Sequence, residues 1–180
     1  EMGLPLAWVD EAAGGAGLAP VAALELVRLA GRHALPVPLA ETIAANHALA
    51  GAGLPPAEGV ATLIAGAGLV LTREGEGWRL AGDAPRIPWG RDAKTLAIDV
   101  DADGEAWRLR LDSGWTVTRQ ATNLGGMRRD TLRIDAVLAA GAVKPRAGHG
   151  LFVIGAALRT LQIAGARLHR TGGKDRIDPQ

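Results

Sequence analysis

Asp99, Asp101, Asp103 and Gly104 occupy the first, third, fifth and sixth places of what would be a calcium-binding loop, where carboxylate oxygens surround a hard cation. The twelfth place, which must offer both oxygens of a Glu, is Arg110, and the flanking residues alternate like strands. The quartet therefore reads as an acidic hairpin turn. Gly66-Ala67-Gly68 matches the opening of a dinucleotide-binding turn, but Leu71 stands at the third glycine and no strand–helix–strand unit follows. Gly173-Lys174 lacks the upstream glycine of a phosphate loop and is followed by Asp175, not by Ser or Thr. Both read as turn glycines. His33, His47, His149 and His169 show no metal-ligand spacing to one another or to carboxylates, so structural or surface roles are expected. Ser113 is the single serine; its spacing permits a Ser-His-Asp triad, yet Asp112-Ser113-Gly114 is more simply a turn than a nucleophile elbow. The chain has no cysteine, which removes thiol catalysis, disulfides and iron–sulfur clusters. The residue types alone nominate no catalytic group and no metal site.

The elements that would position any site are easier to read. From Ala19 to Ala34 the spacing predicts a helix, with Leu26, Val27, Ala30 and Ala34 buried and Glu25, Arg28 and Arg32 on the opposite side. Pro36 and Pro38 end it; a second helix is expected from Leu39 to Ala50, stopped by Gly51, Gly53, Pro55 and Pro56. The period then changes to two. Leu96, Ile98 and Val100 alternate with Ala97, Asp99 and Asp101; Trp107, Leu109 and Leu111 alternate with Arg108, Arg110 and Asp112; Asp103-Gly104 between them is a hairpin signal. Leu132 and Ile134 alternate with Arg133 and Asp135. One-sided alternation favours an antiparallel sheet closed as a barrel or sandwich. Beyond it, Leu151, Ile154, Leu158, Leu161, Ala164 and Leu168 form one helical stripe. The expected class is α+β: a helical segment over 1–57, an antiparallel β domain over 58–148, and one helix with a polar tail over 149–180.

A net charge of +1, with basic residues scattered along the chain, provides no global field for nucleic acid or anionic lipid. No apolar run is long enough to span a bilayer and no charged-then-apolar leader opens the chain, so a cytoplasmic protein without nucleic-acid or membrane partners is expected.

The order of these elements and several short motifs resemble the acyl-CoA dehydrogenases. Met2-Gly3-Leu4-Pro5-Leu6 followed by Asp10-Glu11-Ala12-Ala13-Gly14-Gly15 is similar to that family's "LG-hydrophobic-P…EE-x-GG" stretch. Trp78-Arg79-Leu80-Ala81-Gly82 resembles its "G-aromatic-x-L-x-G" strand and turn. Arg86-Ile87-Pro88-Trp89-Gly90-Arg91-Asp92-Ala93 aligns without gaps to "W-V/I-T-N-G-x-D-A". Leu132-Arg133-Ile134-Asp135-Ala136-Val137, after Gly126-Met127-Arg128-Arg129, resembles the "L-x-F-x-x-V" strand. The resemblance implies FAD held between the β domain and a C-terminal helical bundle. It further implies a carboxylate that abstracts an α-proton from an acyl-CoA thioester while a hydride passes to the flavin. Ile87, Pro88 and Trp89 are the implied cofactor-binding positions. Departures weaken that site: Thr62–Gly68 keeps little of the family's "T-E-P-x-A-G-S-D" loop, Arg86 replaces an aromatic residue, and Pro88 replaces a hydroxyl and has no backbone N–H. The helices that carry the family's catalytic glutamate are expected to lie past the end of this sequence, and with them a general-base contribution of roughly 10²–10⁴-fold. The implied function is therefore a partial or degenerate acyl-CoA dehydrogenase-like subunit, inactive alone and joined to like or unlike chains through Leu151–Leu168. The alternative is a non-catalytic interaction module that uses that same helix.

Overall fold

A computed structural model describes residues 3–66 and 68–146. The stripe from Leu151 to Leu168, His149, His169 and the Gly173-Lys174 pair lie outside these residues. Two helices lead, α1 (Pro20–Arg32) and α2 (Leu39–Gly51), and eight strands follow: β1 (Ala61–Ala65), β2 (Leu69–Glu74), β3 (Gly77–Pro88), β4 (Thr95–Ala102), β5 (Glu105–Leu111), β6 (Trp115–Arg119), β7 (Arg129–Leu138) and β8 (Val143–Pro145). The class is α+β, as the change of period predicts.

The strands form two sheets, ordered β1-β4-β5-β8 and β2-β3-β7-β6. They pack as an open sandwich, so of the two expected closures the barrel is not formed. Every pairing is antiparallel except β1 with β4, which is parallel. Parallel neighbours need a crossover connection, and the β2–β3 hairpin provides it by crossing to the second sheet and back. Leu80, Leu96, Ile98, Leu109, Leu132 and Ile134 are fully enclosed between the sheets, each worth about 1.5–3 kcal/mol of burial.

Alternation holds on β7, where Leu132 and Ile134 face the core and Arg133 and Asp135 face solvent. On β4 it fails, because Ala97 and Asp99 are buried as well as Leu96, Ile98 and Val100. The cause is α2, whose Ala45, Ala48 and Leu49 pack on Ala61, Leu63 and Ala97 and cover the outer side of the first sheet. Small residues along α2 allow that close approach, and its polar residues are tied down. Asn46 donates to the Pro5 carbonyl and accepts from the Ala57 amide at 3.1 and 2.8 Å; the Thr42 hydroxyl bonds both backbone groups of Ala61 at 3.3 Å. α1 rests on α2 through Ala23 and Val27, which pack with Ala40, Ile43 and Ala44; Ala30 is buried on the same helix. Leu26 is only half-buried and Ala34 is exposed, beyond the helix end at φ 48°, since the chain turns there toward Pro36 and leaves the helical face. Asp103 and Gly104 have φ 52° and 79°, which makes the β4–β5 connection the tight hairpin read from the sequence.

Candidate functional site

The positions nominated by resemblance sit where β3 ends. Ile87 pairs with Asp130 and Pro88 with Arg129 at the start of β7, and the chain then turns through Trp89–Ala93. Trp89 has φ 55°, unusual for a bulky residue, and its carbonyl accepts from the amides of Asp92 and Ala93 at 2.9 and 3.0 Å. Gly90 is closely packed: a Cβ there would lie 3.1–3.4 Å from the side chains of Leu132 and Asp130, which would have to give way by a few tenths of an ångström.

Asp130 is what holds this turn. It is 0% exposed and lies in phase with Leu132 and Ile134, on the core side of β7. The Arg91 amide donates to it at 2.9 Å, Arg91 Nε at 3.0 and 3.1 Å, Arg91 Nη2 at 2.5 Å and the Ala121 amide at 3.4 Å. Burial alone would raise the pKa of this carboxyl, but the hydrogen bonds from Arg91 and Ala121 outweigh it and hold the group below the usual carboxylate range. Arg91 reaches on to Gln120 Oε1 at 2.7 Å and the Ala121 carbonyl at 3.4 Å, binding the loop before β7 to the same turn. A second arginine, Arg128, pairs with Asp92 and lies 5.1 Å from the Trp89 ring centre. Two polar atoms in this cluster, Trp89 Nε1 and Asp92 Oδ2, have no hydrogen-bond partner among the described residues.

Ile87 and Pro88 are both buried, Ile87 at 6% exposure within the sandwich core. Their side chains are apolar, and Pro88 has no backbone N–H to offer. Arg86, by contrast, is exposed at φ 60° on a bulge of β3. Neither carboxylate of the turn is arranged as a base, since each is engaged by an arginine and Asp130 is held at low proton affinity.

The other region singled out in the sequence, Thr62–Gly68, ends at the turn between β1 and β2. It borders a cleft of about 410 Å³ that Asp99, Asp101 and Arg146 also line. Gly68 stands opposite Asp83, and Leu69 pairs with Gly82. This cleft thus lies five residues of β3 from Ile87, roughly 16 Å along a strand, and the two candidate regions do not converge. Asp99 is not part of a cation loop: Arg108 grips it at 2.6 and 2.7 Å, with Arg146 at 3.4 Å. Among the described residues no cluster of His, Asp and Glu is placed to hold a metal, and no helix is long and apolar enough to cross a membrane. His47 stacks on Trp8 with ring centres 4.1 Å apart and bonds its carbonyl at 2.9 Å, a structural role; His33 caps α1, and Ser113 lies on an exposed turn.

Sequence reading missed Asp130, although a carboxylate in phase with Leu132 and Ile134 was a visible signal. It also missed Arg108, whose burial depends on α2 and has no signature in its own strand.

No family model matches the chain, and no curated protein sequence does. Solved structures do. Butyryl-CoA dehydrogenase from Megasphaera elsdenii superposes with a TM-score of 0.71 at 16% identity, over 98% of this chain and 59% of that one. The ChsE4–ChsE5 complex from Mycobacterium tuberculosis gives 0.73 at 19%, over 99% and 56%. XiaF from Streptomyces sp., solved in complex with FADH2 and glycerol, gives 0.69 at 15%, over 94% and 52%. The chain has the fold of the acyl-CoA dehydrogenases and spans a little over half the length of these structures.

Proposed function

We propose that this chain is the leading part, or a degenerate subunit, of an acyl-CoA dehydrogenase-like assembly, and that alone it binds no flavin and turns over no acyl-CoA. FAD and an acyl-CoA thioester are the cofactor and substrate that the fold suggests. One observation carries the reading: the end of β3 is a closed polar lock, not an open cradle. In this reading Ile87, Pro88 and Trp89 are the flavin-side positions. Ile87 and Pro88 are buried, Pro88 has no N–H to donate, and the Arg91 amide is already bound to Asp130. The indole Nε1 of Trp89 is enclosed. These residues do not fit a flavin as they stand, and no hydride or proton step is assigned to them. What they supply is one rigid wall, and association with like or unlike chains through Leu151–Leu168 would supply the remainder.

The test is direct. The purified chain is expected to be colourless and to retain no FAD after equilibrium dialysis. With an artificial electron acceptor it should not oxidise acyl-CoA. Stoichiometric flavin in the purified chain, or turnover by it, overturns the proposal.

A further inference from the structure

Two irregularities of the second sheet meet at one residue. β3 bulges between Ala84 and Ile87, so Pro85 and Arg86 together stand opposite Thr131 of β7. On the other flank of β7, β6 is irregular between Val117 and Arg119, and Arg119 is the direct partner of Thr131. The Thr118 hydroxyl donates to the Thr131 carbonyl at 3.2 Å, fixing that second irregularity. Bulges re-aim side chains and are concentrated beside functional sites. Here each presents an exposed arginine, and Arg86 is held at φ 60°, a conformation that a non-glycine residue keeps only at a cost.

Neither Arg86 nor Arg119 forms an ion pair or side-chain hydrogen bond among the described residues. The contrast with the same sheet face further along is sharp. There Arg133 pairs with Asp83 at 2.6 Å and Arg79 with Asp135 at 2.8 Å. Asp83, Asp92 and Asp130, the carboxylates carried by the strands and turn around the bulges, are each held by another arginine (Arg133, Arg128 and Arg91), so among the described residues they do not neutralise Arg86 and Arg119. Neighbouring strands lie about 4.8 Å apart, so the two arginines start on the order of 10 Å from each other across Thr131. That span suits two guanidinium groups closing on one tetrahedral anion, with the threonine hydroxyl between them.

We propose that Arg86, Arg119 and Thr131 form a binding site for the phosphoryl group of a small phosphorylated ligand. The guanidinium fork matches phosphate oxygens in geometry and stays charged at any working pH. The site uses no residue of the Trp89 turn and stands whether or not a flavin is ever bound.

Isothermal titration of the full chain with pyrophosphate and with ADP, at low ionic strength, tests it. Saturable binding is expected, weakened about tenfold by Arg86→Gln and by Arg119→Gln, the loss of one charge-assisted contact each. Arg79→Gln, whose partner is Asp135, should leave it unchanged. On the unaltered chain, sulfate should compete with pyrophosphate where chloride at equal ionic strength does not. ADP binding tighter than pyrophosphate would mean that the site takes a nucleotide; equal binding would mean that the phosphoryl group is all it reads. No saturable binding by either probe, survival of binding in the double variant, or no competition by sulfate overturns the proposal.

Discussion

The ion pair between Arg108 and Asp99 is the interaction whose removal should cost most. Arg108 is 2% exposed and Asp99 7%, their contacts are 2.6 and 2.7 Å, and Arg108 Nη1 also donates to the Ala48 carbonyl of α2 at 3.1 Å. The pair therefore ties the helical layer to the first sheet. Breaking a buried pair by removing one partner typically costs ~3–5 kcal/mol, because the survivor is left charged in an apolar setting. The two single replacements should differ. After Arg108→Met, Asp99 keeps Arg146 at 3.4 Å, which places the loss near the lower end, at about 3 kcal/mol. After Asp99→Leu, Arg108 retains among the described residues only the Ala48 carbonyl, and the loss should approach ~5 kcal/mol. Either is a large part of the ~5–15 kcal/mol by which a domain of this size is stable. The double replacement removes both charges and should lie within about 2 kcal/mol of the parent, far from the sum of the singles. Urea unfolding followed by tryptophan fluorescence, with the slope checked for constancy, gives all four corners of the cycle. An Arg108→Met cost below ~1 kcal/mol, or additive singles, would refute the burial argument.

Three further outcomes are expected. Asp130 is ionised at lower pH in the folded state than in the unfolded one, so the stability it contributes is complete above about pH 4 and is lost as pH falls through its lowered folded value. Asp130→Asn should be less stable at neutral pH yet show a flatter acid limb in urea midpoints, and an unchanged limb would count against the pair with Arg91. Gly82 has φ 139° and a Cβ there would lie 2.3 Å from the Gly68 carbonyl oxygen; Gly82→Ala should cost at least ~2 kcal/mol, while Gly141→Ala, with open space around it, stays within ~0.5 kcal/mol by thermal unfolding. Light scattering should find the chain oligomeric and Leu158→Asp with Leu161→Asp a folded monomer; a monomeric parent chain would remove association through that stripe.

Periodicity made one half of this fold readable. Where a strand has one wet face, as β7 does, alternation names the core residues, and Asp103-Gly104 marks its hairpin because few other residues accept two positive φ values in succession. The second half depends on what lies over a strand. Ala97 and Asp99 read as solvent-facing, and are buried because α2, some fifty residues earlier, lies on them. The parallel register of β1 with β4 has no local signature either, since both are short apolar runs and only the crossover through the second sheet sets their direction. At the candidate site, the resemblance located the turn after β3 but not its chemistry. Asp130 and Arg91 are far apart in sequence and meet only when β3 and β7 pair. Arg86 and Arg119 are likewise brought to Thr131 by two bulges that no spacing rule announces.

The parallel contact between β1 and β4 also has a kinetic consequence. Ala61–Ala65 cannot find its partner until the intervening hairpin has left for the other sheet and Thr95–Ala102 has returned. Closing that excursion costs chain entropy before any contact repays it. The hairpins β2–β3 and β4–β5, whose partners adjoin in sequence, can zip early, whereas Trp78 must meet Leu138 across sixty residues. High contact order of this kind belongs to chains that refold in milliseconds to seconds. During that interval the apolar segment Ala-Thr-Leu-Ile-Ala of β1 waits unpaired, a sticky edge whose capture by another chain competes with folding and grows with protein concentration.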